Sequence, residues 1–560
     1  NEEITNWGIN FSRNDLKRNE NSSWSPVPRN FNIASMAFTG NLIWDHPPKK
    51  AGLNISVIPF GITGFSADYE NDTSFSRFNG GLDAKIALSS SLNLDITVNP
   101  DFSQVEVDAQ QTNLTRFSLF YPEKRQFFIE NSDLFGQFGF SKIRPFFSRQ
   151  IGLNQGRAVP IIAGLRLSGK VNENWRIGLM NMQTAKTQLL ELSDSNAIDT
   201  LTLSPENFMV AAVQRKVFKR SFVGAILVNK QTFQNEQVTL NNYNRIVGLD
   251  YNLATANNKW MGKVFYHHSF YQNQQKRSGT HASWLMYNTQ NWSMHWNHEY
   301  VGENYNAEVG FVQRSNRTYW RLEPNIERKF YPKDGPINNH GPNLYINYYT
   351  DSVFGTTDLL VLPHYKIRFQ NTSKLEIHFR ELFTRLYDDT DVTFSNSKTI
   401  SKGKYRYRDG MLKYDSDKRK PFGYNVRFGY GSYYIGNKLS ISGGVRFRKQ
   451  PWGVLSFNFN FNDIRMPQPY QNATILLIGP KLELSFTKTL FWSTFLQYNS
   501  QVENFNVNSR IQWRFRPMSD LYIVYTDNYF TISNTEYNPY YTSLKTQFDG
   551  KRNRAIVIKF

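Results

Sequence analysis

The chain has 560 residues, a formal net charge of +19, no cysteine and 16% aromatic residues, while its mean hydropathy is negative. The lack of cysteine excludes disulfides and thiolate metal sites, and the lack of any run of about 18 apolar residues excludes membrane-spanning helices. A polar chain rich in aromatic residues, in which we find no long amphipathic helix, favours a transmembrane β-barrel whose polar side chains face a lumen.

Strand-like segments with a strict two-residue period recur along the chain. In residues 505–515 the two faces read Phe-Val-Ser-Ile-Trp-Phe and Asn-Asn-Arg-Gln-Arg, and residues 421–434 and 453–463 alternate in the same way. This pattern is typical of strands that separate lipid from a water-filled lumen.

We therefore predict an all-β fold, a large transmembrane antiparallel barrel of about 24–26 strands. In chain order, residues 1–99 carry the first barrel strands, residues 100–150 form a non-strand insert, and residues 151–560 carry the remaining strands, which end at Phe560. The candidate strands include residues 3–12, 31–44 and 304–314, and residues 343–369 form one long strand or two.

Loop lengths predict the orientation of this barrel. Short turns lie near residues 170–174, 218–220, 450–453 and 516–520, and long loops span residues 186–205, 331–342, 388–402, 463–472 and 531–550. Short turns face the periplasm and long loops face outside. With the terminal aromatic residue Phe560 at the periplasmic end, the insert falls between an upward and a downward strand, on the external side.

Residues 100–150 depart from the barrel pattern because they mix proline, charge and aromatic residues without a lipid-facing side. Connections of this length are usually functional when ordered. We expect the insert to fold into or over the lumen as a plug or constriction; the alternative is an external loop that packs on its own aromatic residues. The candidate plug residues are Asp101, Glu106, Asp108, Glu123, Lys124, Arg125 and Glu130.

Alternation also places a basic cluster on the inner face of the C-terminal strands. Its predicted members are Arg427, Arg446, Arg448, Arg510, Arg514 and Arg516. A positive lumen favours anions, but guanidinium groups bind the carboxylates of a plug by the same geometry, and both alternatives stay open. Nucleic acid is not an expected partner, because the aromatic residues alternate along strands and do not line a basic groove.

Five segments resemble the DUF5916 family: residues 7–11, 23–29, 99–108, 120–128 and 516–525. The resemblance spans nearly the whole chain and is most specific over residues 99–135. It implies a location in the outer membrane of a Gram-negative, Bacteroidota-like bacterium and insertion by the barrel-assembly machinery, with no settled activity. Family members commonly carry an N-terminal carbohydrate-binding, family-9-like domain, which we expect this chain to lack.

The expected function is a channel or transport protein with a basic, internally constricted lumen for an anionic or glycan-derived solute. One alternative is a non-catalytic scaffold in an outer-membrane complex with surface lipoproteins or other envelope partners. A second is an outer-membrane hydrolase, but His267, His281 and His295 on the predicted inner face show no ligand or nucleophile spacing. We therefore expect no catalytic residue, metal or cofactor. Outer-membrane lipid and lipopolysaccharide are the expected surroundings, and basic loop residues are suited to bind their phosphates.

Overall fold

The protein is described by a computed structural model. The structure describes residues 6–15, 20–28, 31–46, 54–69, 72–102, 107–154, 157–192, 198–234, 237–274, 276–315, 317–394, 398–530 and 550–560.

The main body is a closed antiparallel barrel of 24 strands, in which each strand pairs with its neighbours along the chain. The strands are β1 (Ile55–Asp68), β2 (Thr73–Ala87), β3 (Leu92–Val98), β4 (Ile161–Lys170), β5 (Trp175–Thr184), β6 (Glu206–Val217), β7 (Ser221–Gln234), β8 (Gln237–Ala254), β9 (Trp260–Tyr271), β10 (Gly279–Asn288), β11 (Trp292–Val301), β12 (Tyr319–Leu322 and Asn325–Arg328), β13 (Ile337–Asp351), β14 (Gly355–Phe369), β15 (Lys374–Leu386), β16 (Gly403–Asp415), β17 (Phe422–Tyr433), β18 (Gly436–Lys449), β19 (Gly453–Arg465), β20 (Ala473–Ser485), β21 (Leu490–Asn499), β22 (Asn504–Arg516), β23 (Ser519–Phe530) and β24 (Gly550–Lys559). The barrel closes where β24 pairs with β1, and the prediction of a large all-β barrel is confirmed.

Strand β12 is interrupted in the middle. Its two halves both pair with β11 and β13, so they form one strand of the ring. Pro324 lies in the gap, and proline has no backbone N–H to donate to a neighbouring strand.

Short elements lie outside the ring. Two-stranded pairings join Asn6–Ile9 to Gly40–Ile43, Ser12–Asp15 to Glu20–Ser23, Ile143–Arg144 to Phe311–Val312, Leu153–Asn154 to Arg157–Ala158, and Thr187–Leu192 to Ile198–Leu203. The helical elements are α1 (Gln126–Ile129), α2 (Asp133–Gly136) and the 3-10 turns Met36–Phe38 and Ser148–Gln150. Within the described ranges, no helix is long and apolar enough to span a membrane.

Three of the predicted strand assignments are wrong. Residues 3–12 and 31–44 are not barrel strands: their described parts form four-residue strands, and four residues extend only about 13 Å, too short for an apolar band of about 25 Å. Residues 304–314 turn inward after β11, and Phe311–Val312 pairs with Ile143–Arg144. Residues 343–369, predicted as one long strand or two, belong to the two strands β13 and β14.

The two ends of the barrel differ in their connections. At the end where the chain finishes, the Phe560 end, successive strands are joined by two to eight residues. At the opposite end, the loop end, the connections include residues 99–160, 185–205, 302–318 and 387–402. The loop predicted at residues 531–550 lies outside the described residues except for its last residue. The loop predicted at residues 331–342 is wrong in both length and side, because β13 begins at Ile337 and the connection 329–336 lies at the Phe560 end.

Outward side chains form an apolar surface around the ring. On β17 and β19, which flank β18, Tyr424, Phe428, Leu455 and Phe457 are exposed at outward positions. An exposed apolar band on a closed barrel is the lipid-facing surface of an outer-membrane-type fold. At the closure, Phe560 exchanges backbone hydrogen bonds with Gly61 and stacks on Phe515.

Candidate functional site

The insert is the connection between β3 and β4, residues 99–160. Its side chains and backbone contact β2, β4, β5, β8, β9, β14, β15, β21, β22 and β24, which lie all around the ring. Contacts on every side place the insert inside the barrel. It has two parts, an extended strap (residues 107–122) and a compact insert core (residues 123–154).

The insert core is held by an apolar cluster on one wall of the barrel. This wall, called the N-terminal wall, is β4–β9. The cluster joins Phe128, Leu134, Phe135, Phe138, Phe146 and Ile151 of the insert to Met180, Met182, Phe208, Val210, Ile226, Val228 and Ile246 of the wall, all buried. Because Asp133 pairs with Arg176 (2.8 Å), the second residue of β5, the insert core reaches nearly to the Phe560 end. This half of the barrel is therefore filled with protein.

A buried arginine ties the insert core to β4. Arg166 is 1% exposed, and its guanidinium donates to Asp95 on β3 (2.7 Å) and to the backbone carbonyl oxygens of Phe127 and Glu130. Glu130 in turn pairs with Lys85 on β2. A charge buried this deeply is stable only when its hydrogen bonds are made, so Arg166 depends on the insert, and the insert depends on Arg166.

A second polar anchor lies on β8 and β9. The buried carboxylate of Asp250 binds His267 (2.8 Å) and Lys263 (3.0 Å) and accepts the backbone N–H of Gly139 (2.9 Å). Gly139 has φ +70°, and a Cβ at this position would lie 2.1 Å from the carbonyl oxygen of Ile143. The positive φ and the lack of space for a Cβ both require glycine at position 139. The turn of the insert core that contacts Asp250 therefore depends on this residue.

Glycine on the wall also lets the insert approach. A Cβ on Gly178, an inward position of β5, would lie 2.7 Å from the ring of Phe135 and 2.8 Å from Leu134. The backbone of β5 therefore contacts the insert directly.

Within the insert core, Glu123 and Arg125 form a paired unit. Arg125 binds both carboxylate oxygens of Glu123, donates to the carbonyl oxygens of Ser148 and Ile151, and lies 4.3 Å from the ring centre of Phe128. Burial alone would raise the pKa of Glu123, but hydrogen bonds from Arg125 and Ser148 outweigh it and lower the pKa below its ordinary value.

The strap crosses the loop end toward the opposite wall and is held mostly by side-chain amides. The backbone N–H of Gln110 donates to the side-chain oxygen of Gln497 (2.6 Å), and the side-chain amide of Gln110 donates to Asn506 (3.0 Å). The backbone N–H of Asn113 donates to the side-chain oxygen of Gln501, and the side-chain amide of Gln501 donates to the backbone carbonyl oxygen of Asn113. Such neutral hydrogen bonds contribute only about 0.5–1.5 kcal/mol each, since water replaces them readily.

The far end of the strap has a charged anchor. Arg116 binds Asp358 on β14 (3.0 Å) and donates to the carbonyl oxygen of Arg385 (2.6 Å). Arg314 shares Asp358 (2.6 Å) and lies over the ring of Phe117. Beneath the strap, Leu114 packs on an apolar cluster at the loop end, which also contains Val392 and Ile400 of the loop 387–402, Tyr407, Tyr433 and Ile464.

The wall below the strap is polar. This C-terminal wall is β16–β22, and its inward positions on β18 and β19 include Ser440, Ser442, Arg446, Asn458 and Asn460. Lys413 on β16 lies directly opposite Arg427 on β17, a pair of like charges that repel each other, and in register with Glu376 of β15 on its other side. The inward side chains of the two walls therefore differ in kind: those of the N-terminal wall are apolar and covered by the insert core, and those of the C-terminal wall are mostly polar.

The structure spreads the six predicted lumen arginines over β17, β18 and β22. Arg427 and Arg446 are exposed at inward positions, Arg446 in a small polar pocket with Asp415 and Asn458, and Arg448 and Arg510 are half-buried. Arg514 pairs with Asp520 (3.1 Å) at the Phe560 end. Arg516 lies beyond a register shift, opposite Ser519 at the turn, so simple alternation does not assign its face.

The acidic residues predicted for the plug form ion pairs, but their partners are not the six predicted lumen arginines. Asp101 approaches Arg77 and Lys559, and Asp108 pairs with Lys124 (3.2 Å) and Arg149. Glu123 pairs with Arg125, and Glu130 with Lys85 and Arg166. Glu106 lies outside the described residues.

The histidines considered for catalysis do not converge. His267 is buried against Asp250, whereas His281 is on the outer face, beside His298, Tyr300 and Trp320, so its predicted inward position is wrong. Its neighbours along the strand, Thr280 and Ala282, are buried on the inner face. Successive side chains of a strand point to opposite faces, so His281 points outward. Among the described residues, no three histidine, aspartate or glutamate side chains are grouped to hold a metal ion.

Two cavities open on the insert near the loop end. One, of about 700 Å³, is lined by Tyr121, Arg149, Gln150, Tyr271 and Glu303. The other, of about 640 Å³, is lined by Gln110, Asn113, Asp391 and Gln501. Leu119 and Tyr121 of the strap line both cavities, so the two cavities adjoin at these residues.

The sequence was also compared with known families. Residues 51–475 match the family described as domain of unknown function DUF5916. The chain belongs to the DUF5916 family. The match covers most of the barrel and the whole insert, and no curated protein matches the sequence.

Solved barrels with similar chain traces are distant in sequence. A ferric enterobactin receptor (PfeA) mutant from Pseudomonas aeruginosa has 7% identity and a TM-score of 0.40, over 94% of this chain and 83% of that one. The FrpB iron transporter from Neisseria meningitidis has 10% identity and a TM-score of 0.40, over 93% and 84%. The ferric yersiniabactin uptake receptor FyuA from Yersinia pestis has 7% identity and a TM-score of 0.41, over 96% and 85%.

Proposed function

We propose that this outer-membrane-type barrel is a gated transport protein for an anionic solute. In this proposal the insert core is a fixed plug in the N-terminal half, the C-terminal half is the route, and the strap with the loop 387–402 is the gate. The observation that carries the proposal is the contrast between the two walls: apolar side chains bury the insert core on one, and Lys413 faces Arg427 on the other.

The energetics of the two parts of the insert support this division. The insert core is anchored by an apolar cluster and by a buried arginine, whose removal would leave Asp95 with only the longer contact to Lys85 (4.0 Å). The strap is anchored by amide hydrogen bonds and by Arg116, which is partly exposed. Local opening takes the segment with fewer buried apolar contacts, and that segment is the strap.

The basic side chains of the C-terminal wall support an anionic solute. Inward Arg427, Arg446 and Arg448 lie on two neighbouring strands, and a ring segment of fixed positive charge lowers the barrier for anions. The cavities that meet at Tyr121 would receive the solute outside the gate.

Conductance across planar bilayers tests the proposal. The wild-type protein should be closed, and a Gln110→Ala/Asn113→Ala/Arg116→Ala variant, which releases the strap and leaves the insert core intact, should conduct with a reversal potential on the anion side. Gln111→Ala is the matched control, because Gln111 is an exposed amide of the same strap, and it should stay closed.

In the conducting background, Arg427→Gln/Arg446→Gln should reduce the preference for anions. A released strap variant that inserts correctly and stays closed would contradict the transport proposal. That outcome would favour the scaffold alternative, for which the exposed Trp7, Phe11 and Trp24 of the segment before β1 offer a contact surface.

A further inference from the structure

The outer surface of the barrel changes character along β16. Counted from the Phe560 end, its outward side chains are Tyr414 and Leu412, then Gly410, and then three basic residues at alternate positions. The three are Arg408, Arg406 and Lys404. On β15, Glu381 lies in register with Arg408, Phe383 with Arg406 and Arg385 with Lys404. The row of outward apolar side chains on β16 therefore ends below Arg408.

The basic residues outnumber the acids that face them. Arg406 and Arg408 both contact the single carboxylate of Glu381, and their side chains remain 67% and 72% exposed. At the same height on β19, Arg465 pairs with Asp463 and is 63% exposed. One carboxylate shared by two guanidinium groups leaves a positive charge at the surface.

The position of this charge indicates its partner. An arginine that faces lipid is costly at the centre of a bilayer, and the cost falls almost to zero near the headgroups. Anionic headgroups lie at that boundary, and guanidinium groups bind phosphate oxygens in pairs. A carboxylate held between two exposed arginines leaves further guanidinium donors pointing to the lipid side.

We propose that Lys404, Arg406 and Arg408 form a binding site on the outer face of the barrel for the phosphate group of an anionic membrane lipid. The site lies outside the lumen and is independent of whether the barrel transports a solute. Its ligand is a lipid headgroup phosphate, held between the end of the apolar band and the loop end.

The test uses the full chain in neutral detergent micelles, titrated with phosphatidic acid, phosphatidylcholine or inorganic phosphate and followed by native mass spectrometry. Wild-type protein should retain phosphatidic acid, and Arg406→Gln/Arg408→Gln should weaken its binding about tenfold or more. The double variant leaves the carboxylate of Glu381 without its two arginines, and adding Glu381→Gln removes that charge. This triple variant should fold and should bind phosphatidic acid as weakly as the double variant does. Glu381→Gln alone should strengthen binding, because it frees both guanidinium groups.

Arg245→Gln is the matched control, since Arg245 is an exposed, outward arginine of β8 that donates to Asn229, and it should bind as the wild type does. Unchanged binding in the folded triple variant would overturn the proposal. Equal retention of phosphatidylcholine would also overturn it, and so would displacement of phosphatidic acid by an equal concentration of inorganic phosphate.

Discussion

The N-terminal and C-terminal walls belong to one ring of strands, yet they face different surroundings on the inside. On β6, inward Phe208, Val210 and Ala212 are buried under the insert, and the outward side chains between them are apolar too. On β19, inward Ser456, Asn458 and Asn460 alternate with outward phenylalanines. A strand that is apolar on both faces is covered on both faces, so the chain itself marks which half of the lumen is filled.

The largest effect should come from the buried anchor of the filled half. Arg166→Ala leaves the buried Asp95 with only the longer contact to Lys85 (4.0 Å) and removes donors from two carbonyl oxygens, which should destabilise the docked insert by about 3–5 kcal/mol. Thermal unfolding and protease sensitivity of the insert measure this. Arg427→Ala on the C-terminal wall is the comparison and should change stability by less than about 0.5 kcal/mol, because Arg427 is exposed. Equal losses would contradict the contrast between the walls.

A glycine pair gives the next effect. Gly178→Ala places a methyl group 2.7 Å from Phe135 and should cost about 1–3 kcal/mol, since the packed insert must move. Gly429→Ala on the C-terminal wall meets nothing closer than 3.7 Å and should be tolerated or slightly stabilising. Thermal unfolding and protease sensitivity of the insert measure the effect of both substitutions. A larger loss of stability from Gly429→Ala than from Gly178→Ala would show that the C-terminal half is the tightly filled one.

The smallest effect should be a pH dependence of the insert core. The pKa of Glu123 is lowered in the folded protein, so its ionised form contributes stability above its ordinary pKa of 4.5, and this contribution is lost as the pH falls through the lowered value. Wild type should therefore lose insert stability in acid relative to neutral pH more than Glu123→Gln does. Parallel acid curves for the two proteins would show that the Glu123–Arg125 pair does not hold the insert core.

The sequence predicts what depends on neighbouring residues only. Alternation in residues 505–515 requires just lipid on one side and water on the other, so the barrel and the approximate strand number follow from it. Strands β6 and β7 are apolar on both faces, which is also a local signal for the filled half. The anchors were beyond reach, since Asp95 and Arg166 are 71 residues apart and Arg116 and Asp358 are 242 apart.

Loop 302–318 illustrates the same limit. Its residues 304–314 look like a strand, yet Phe311–Val312 pairs with the insert and not with the ring. Short apolar segments form strands wherever a partner edge is present, so their place in the fold depends on tertiary context. The register shift beside Arg516 shows that one bulge is enough to interrupt an assignment by alternation.

Thiol labelling of the C-terminal half measures whether the strap closes this part of the lumen. Because the chain has no native cysteine, Ser442→Cys on the inner face of β18 can be labelled alone with a membrane-impermeant, anionic thiol reagent added to intact cells. Val228→Cys, which is buried under the insert core, is the control and should stay unlabelled. Ser442→Cys should be labelled slowly with the native strap and much faster when Gln110→Ala/Asn113→Ala/Arg116→Ala is added. Labelling at the same rate with and without the strap contacts would contradict a gate formed by the strap.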